Sequence, residues 1–275
     1  MSRKILSWML LAAIALCAIL LFNYWASYQP LSTLAYTGIV ASILGLANVA
    51  IPFRFLGIRK RAIGAVILVG GVALTWASLS WPASTIRVAQ PKTRLDEIMP
   101  DYQFSERHSV RVHAGPAQVM QAVRHSTFGD MKSLATLLKI RATALRAPAH
   151  ESDVFSQDKR ILDLFSASGY VTGGSDHEIV TCGGANVRAH DNLKPTTLQE
   201  FANYHEPGAV KMAFDFYAQD EGGGWSTLTA ETRVLATDDL TRSGMGRYWL
   251  LIVPGSGLLR RQWLDGIKRR AENEP

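Results

Sequence analysis

Seven histidines, two cysteines and a Glu-x-Arg pair are the side chains of this 275-residue chain with the clearest capacity for chemistry. His177-Glu178, His190-Asp191 and His205-Glu206 put an imidazole next to a carboxylate, the pair that general acid-base catalysis uses. Neighbours on an extended backbone point to opposite faces, so adjacency alone makes no dyad. His108 alternates in phase with Val110 and Val112, which predicts a buried imidazole. Glu231 and Arg233, two apart in a strand-like run, share a face and can form an ion pair. Cys182 stands beside two glycines with no basic neighbour to stabilise a thiolate, and reads as a small buried residue. No H-E-x-x-H, C-x-x-C, G-x-S-x-G or Walker loop occurs, so no metal site and no cofactor is implied. The weak catalytic candidates are therefore His108, Glu231 and Arg233.

The elements that must hold these groups lie in the last two thirds of the chain. Residues 104–114 alternate strictly and predict a strand with one buried face. Gly115-Pro116 ends it, and Pro116 suits the first position of a helix carrying Val119, Met120 and Val123. Helical spacing recurs in Met131, Leu134, Leu137, Leu138 and Ile140, and again from Lys159 to Ser166. AVKMAFDFYAQ and WSTLTAETRVLAT flank a glycine-rich turn, predicting a hairpin. Its apolar face carries Val210, Met212, Phe214 and Phe216 opposite Leu228, Ala230, Thr232 and Val234; Thr227, Thr229, Glu231 and Arg233 form the other face. That division predicts an antiparallel sheet covered on one side. Leu259, Trp263, Ile267 and Ala271 follow at i+4 steps, with Arg260, Arg261 and Lys268 to Arg270 mainly on other, solvated faces. The apolar part from Tyr248 to Leu259 is too short for a span and contains Pro254.

The first third has a different character. Three apolar stretches, about 5–25, 34–56 and 62–81, each have the length to cross a ~30 Å hydrocarbon core. The first exceeds a signal-peptide core and no A-x-A site follows it, which favours a retained span. Gly38, Ala41, Ser42, Gly45, Gly64, Gly70 and Gly71 provide small faces for close helix approach, and Asn48 reads as an interhelical hydrogen-bonding residue. Arg3, Lys4 and Arg59-Lys60-Arg61 lie on one side, while the loop 26–33 is uncharged, so the positive-inside rule predicts a cytoplasmic N-terminus and an extracytoplasmic soluble domain on a multi-pass inner-membrane protein. No acid precedes Asp96; the first 95 residues carry nine basic side chains, and twenty basic against twenty-three acidic residues follow them, so the positive balance of the chain comes from its N-terminal segment. That distribution removes the usual ground for nucleic-acid binding. Residues 84–103, mixing Pro, Ser and charge, read as a linker between a membrane part, 1–83, and a domain, 104–275.

HSVRVHAGPAQVMQAV, STLTAETRVLATDD and GRYWLLIVPGSGLLRRQWLDGIKRRAE resemble the first strand and helix, the last strand, and the closing helix of the START-like or Bet v 1-like (SRPBCC) superfamily. The resemblance implies an α+β helix-grip domain: a curved antiparallel sheet wrapped around a long C-terminal helix and enclosing an apolar cavity. It implies Met212, Phe214, Phe216, Trp249, Ile252 and Val253 as ligand-lining residues, each with the ordinary alternative of core filler. The expectation is a membrane-anchored module that binds a hydrophobic small molecule or lipid without covalent chemistry. A cyclase- or hydrolase-type enzyme and an interaction module without a cavity are the alternatives, and the sequence names no protein partner.

Overall fold

The computed structural model describes residues 30–52, 60–131 and 158–273. The first apolar stretch and the helical pattern from Leu134 to Ile140 fall outside them. The chain divides into two compact units: one runs to Pro82 and includes Gly246–Pro254, and the other comprises Ala83–Met245 and the chain from Gly255 on.

The first unit is built on α1 (Pro30–Ala50) and α2 (Arg61–Ser80), two helices long and apolar enough to cross a membrane. The predicted second stretch, 34–56, is displaced to an earlier start and an earlier end, and prolines give the reason. Pro30 occupies the first helical turn, where its missing N–H is no loss, and Pro52 disfavours helix just before it. Gly38 and Gly45 of α1 face Gly64, Gly71 and Thr75 of α2, so the backbones run almost in contact. A Cβ on Gly71 would stand 2.6 Å from the Ser42 backbone nitrogen, closer than atoms approach. Gly71→Val should therefore force the helices apart, at about 1–3 kcal/mol. The loss is measurable as an earlier midpoint when dodecyl sulfate is titrated into micelles of the full chain. Asn48 departs from the sequence reading: it is 1 % exposed, yet among the described residues neither its Oδ1 nor its Nδ2 has a hydrogen-bond partner. Its amide packs against Gly64 instead.

The second unit is α+β. Its strands are β1 (Ile86–Arg87), β2 (Asp101–Tyr102), β3 (Phe104–Val112), β4 (Val171–Gly174), β5 (Glu178–Asn186), β6 (Asp191–Leu193), β7 (Ala209–Gly222) and β8 (Trp225–Ala236). Its helices are α3 (Arg94–Ile98), α4 (Pro116–His125), α5 (Ile161–Ala167), α6 (Leu198–Ala202) and α7 (Asp239–Asn273). The main sheet is antiparallel in the order β3-β8-β7-β5-β4, with β6 also on β5. The β7–β8 hairpin turns through Gly222, Gly223 and Gly224 at φ of 78°, 61° and 79°, a region closed to most side chains.

Register sorts the residues onto two faces. Phe216 lies opposite Ala230, and Ala230 opposite His108; the next positions pair Asp215 with Glu231, and Glu231 with Arg107. On the first face Phe214, Phe216, Leu228 and Ala230 pack with Val119 and Val123 of α4 and Trp263, Ile267 and Ala271 of α7. The i+4 series of α7 thus does cover the apolar hairpin face.

Two features depart from expectation. The sheet is covered on both sides: Leu95, Ile98 and Met99 bury against Val180, Cys182 and Ala213 on the second face, together with Phe201 of α6. Residues 84–103, read as a linker, instead form β1, α3 and β2. Each buried apolar side chain of α3 contributes roughly 1.5–3 kcal/mol, and a capping box between Thr93 and Asp96 fixes where the short helix starts. The second departure is Arg260, which does not lie on a solvated face. Its guanidinium lies over the rings of Phe214 and Trp263, at 5.2 and 5.4 Å, and donates to the Thr232 hydroxyl.

Candidate polar binding cleft

The hairpin face that was expected to meet solvent forms the floor of a cleft of about 410 Å³ beneath α3. Strand alternation brings Asp215 and Tyr217 of β7, Thr229, Glu231 and Arg233 of β8, and Arg107 of β3 to one side of the sheet, and the chain entering α3 adds Lys92, Thr93 and Asp96.

Arg233 organises the floor. It is 5 % exposed; its Nη2 donates to Asp96 Oδ1 at 2.6 Å, Nε to Glu231 Oε1 at 2.6 Å, and Nη1 to the Met99 carbonyl at 3.1 Å. The guanidinium lies 4.7 Å over Tyr102 as well. Burial would draw its pKa down, but the bonds and charges of Glu231 and Asp96 carry it above the usual arginine value. Asp96 also accepts the backbone N–H of Lys92 at 2.8 Å and of Thr93 at 3.1 Å. Burial pushes the Asp96 carboxyl up, yet the Lys92 amide, the Arg233 bond and charge, and the Thr93 amide outweigh it and hold it below the usual range. Glu178 closes the opening turn of α3 by accepting from the Arg94 and Leu95 amides at 2.7 and 3.0 Å.

Asp215 behaves differently. It is 3 % exposed and accepts one bond, from the Glu231 amide at 3.0 Å. Burial first, then the charges of Glu178 and Glu231, raise its pKa to about 8, against the Glu231 amide and the Arg233 charge. At neutral pH it is an un-ionised acid and offers a hydroxyl. With Asp215 neutral, Lys92, Arg107 and Arg233 stand against Asp96 and Glu231, and the lining carries one net positive charge. Arg233 is occupied by its carboxylates, and Arg107, exposed, lies 3.9 Å by its Nε from Glu231 Oε2, so Lys92 and the outward side of Arg107 supply the positive field at the rim, with Tyr217, Gln219 and Thr229 as neutral donors.

Of the sequence candidates, Glu231 and Arg233 lie in this cleft and His108 does not. His108 is on the opposite face, with Nε2 2.9 Å from Glu106 Oε1, while Glu106 Oε2 accepts from the Ser256 hydroxyl at 2.6 Å. The carboxylate stands between serine and imidazole, so the histidine cannot take the serine proton as a nucleophilic triad requires. The expected apolar lining is divided as well. Phe214 and Phe216, 1 % and 0 % exposed, are core residues with ring centroids 6.0 and 4.6 Å from Trp263, and Met212 is half-buried. Trp249, Ile252 and Val253 belong to the other unit.

Cys182 is fully buried, and burial pushes its thiol up to about 12 against the nearby Lys211 charge, which makes it inert. Lys211 is drawn down to about 8 by burial, with its ammonium donating to the Ala202 carbonyl at 2.9 Å over the Phe201 ring.

Asp215, Asp96 and Lys92 were absent from the sequence candidates. A signal for Asp215 did exist: an isolated acid between two phenylalanines in an otherwise apolar strand, AFDFY. Comparison with known proteins gives no further guide, since no family model, curated protein or solved structure matches this chain.

Proposed function

We propose that the chain is a membrane-anchored binding module whose second unit takes a small, acceptor-rich anion into the cleft beneath α3. The supporting observation is the state of the cleft's charges. Its carboxylates are engaged by Arg233 and Arg107 or un-ionised, whereas the exposed Lys92, the outward side of Arg107 and several neutral donors border a volume suited to a small metabolite. Two apolar helices support the anchoring. The helix-grip reading stays part of the proposal, supported by an antiparallel sheet whose first long strand lies beside the last and by α7 packed on it. A hydrophobic ligand is less favoured, because Phe214 and Phe216 are engaged with Trp263. The enzyme reading loses its convergent group once His108 faces away from Glu231 and Arg233.

Titration calorimetry of the full chain in nanodiscs, against a panel of sugar acids, sugar phosphates and dicarboxylates with neutral and cationic analogues, tests this. Anions should bind best, and Lys92→Ala and Arg107→Ala should each weaken binding by about tenfold, as loss of one charge-assisted contact does. Affinity should also fall as pH rises through about 8, because ionised Asp215 repels the ligand. Preference for the neutral or cationic analogues, or indifference to both substitutions, would sink the proposal.

A further inference from the structure

The middle of α7 carries a backbone defect with a specific repair. Pro254 has no N–H, so the carbonyl of Leu250, four residues earlier, loses its helical donor, and the proline ring crowds that turn. The Leu250 carbonyl and its neighbour at Leu251 both accept from hydroxyls of α1 within the same unit. Ser32 Oγ donates to the Leu250 carbonyl at 2.7 Å, and the Tyr36 hydroxyl donates to the Leu251 carbonyl at 2.6 Å. Ser32 and Tyr36 are four residues apart, on one face of the first two turns of an apolar helix. In water a released carbonyl simply hydrates; in hydrocarbon it needs a protein donor, and proline is tolerated in membrane helices where neighbouring hydroxyls supply one.

The side chains of the segment fit such a setting. Trp249, Leu250 and Val253 are buried, while Tyr248 and Leu251, one helical turn apart, are each 45 % exposed. Arg247 precedes them, and Tyr and Trp are the side chains that favour the level of lipid headgroups. Gly246–Pro254 rises only about 13 Å as a helix, less than half of a hydrocarbon core, so it can enter a bilayer but not cross it.

We propose that Arg247–Pro254 is an interfacial membrane segment: the Tyr248–Leu251 face lies among lipids at the headgroup boundary, and the segment is held to the end of α1 by the Ser32 and Tyr36 hydroxyls. This rests on the reading of α1 and α2 as membrane spans, and the test separates the two. A photoreactive benzophenone side chain replaces Leu251, Val66 or Val187 in the full chain, one site at a time, in vesicles of phosphatidylcholine and phosphatidylglycerol. Val66 is 73 % exposed in the second turn of α2, and Val187 is 48 % exposed in the second unit. Mass spectrometry should find lipid adducts at Leu251 and Val66 but none at Val187. Adducts at Val66 with none at Leu251 would overturn this proposal alone, and none at either site would overturn the anchor with it. Ser32→Ala and Tyr36→Phe should each lower the Leu251 adduct yield by about threefold, the effect of one interhelical hydrogen bond in a membrane, and leave the Val66 yield unchanged. Unchanged yield at Leu251 in the double variant would show that the hydroxyls do not hold the segment.

Discussion

Asp215→Asn should stabilise the second unit at neutral and alkaline pH, by on the order of 2–4 kcal/mol at pH 7. The direction follows from linkage. The Asp215 pKa rises from 3.8 in the unfolded chain to about 8 in the fold. Below pH 4 both states are protonated and the residue has no differential effect. Between pH 4 and 8 the unfolded chain releases the proton and the folded one retains it, so stability falls steadily as pH rises. Above 8 the full penalty is present, because the folded protein then holds a buried carboxylate beside Glu178 and Glu231. Asparagine never ionises, and its Oδ1 can still accept the Glu231 amide bond that now spans 3.0 Å. Exchange protection of the β7 and β8 amides, followed in urea with the full chain in micelles at pH 5, 7 and 9, should show the gain widening with pH. A variant that loses protection at pH 9 would mean that Asp215 is ionised and stabilising in the wild-type fold. Because Asp215 stays buried beside Glu178 and Glu231 despite this penalty, the position is better explained by what its hydroxyl offers the cleft than by what it contributes to the fold.

The residues behind that result also explain what could be read from sequence. Elements built on a sustained period were legible: the β7–β8 hairpin with its glycine turn, β3 with the helix that opens at Pro116 after it, and the i+4 series of α7. Each declares its apolar face over many residues, and that face finds a partner. α3 was not legible. Five residues with Leu95 and Ile98 as the buried pair are too few to define a period, and their burial depends on strands more than eighty residues away in the chain. Missing α3 meant missing the cleft, because Thr229 and Arg233 meet solvent unless something covers them. Arg260 failed for a related reason: a charged side chain off the main apolar stripe is ordinarily solvated, and what offsets its burial is the aromatic rings, the Thr232 hydroxyl and the nearby Glu106 charge.

Arg233→Met should destabilise the second unit by about 3–5 kcal/mol, the usual consequence of removing one partner from a buried ion pair. Methionine fills much of the volume beneath Tyr102, so the loss is chiefly electrostatic. It leaves Asp96 and Glu231 without the 2.6 Å bonds they now share, close to Glu178 and Asp215, and it orphans the Met99 carbonyl. Arg233→Lys should fall between wild type and Arg233→Met, since one ammonium cannot reproduce the planar fork that meets two carboxylates and a carbonyl at once. Two further measurements distinguish an ion-pair effect from damaged packing. Asp96→Asn placed on Arg233→Met should recover part of the lost stability, because it removes one of the stranded charges; a purely additive loss would assign the effect to packing. The loss should also shrink as pH falls, for the depressed Asp96 carboxyl contributes its stability above its unfolded pKa of 3.8 and surrenders it as pH falls through the lower folded value. If Arg233→Met proved equally destabilising at pH 3 and pH 7, the carboxylates would not be what Arg233 holds in place, and the charge argument for an anion site above it would fail as well.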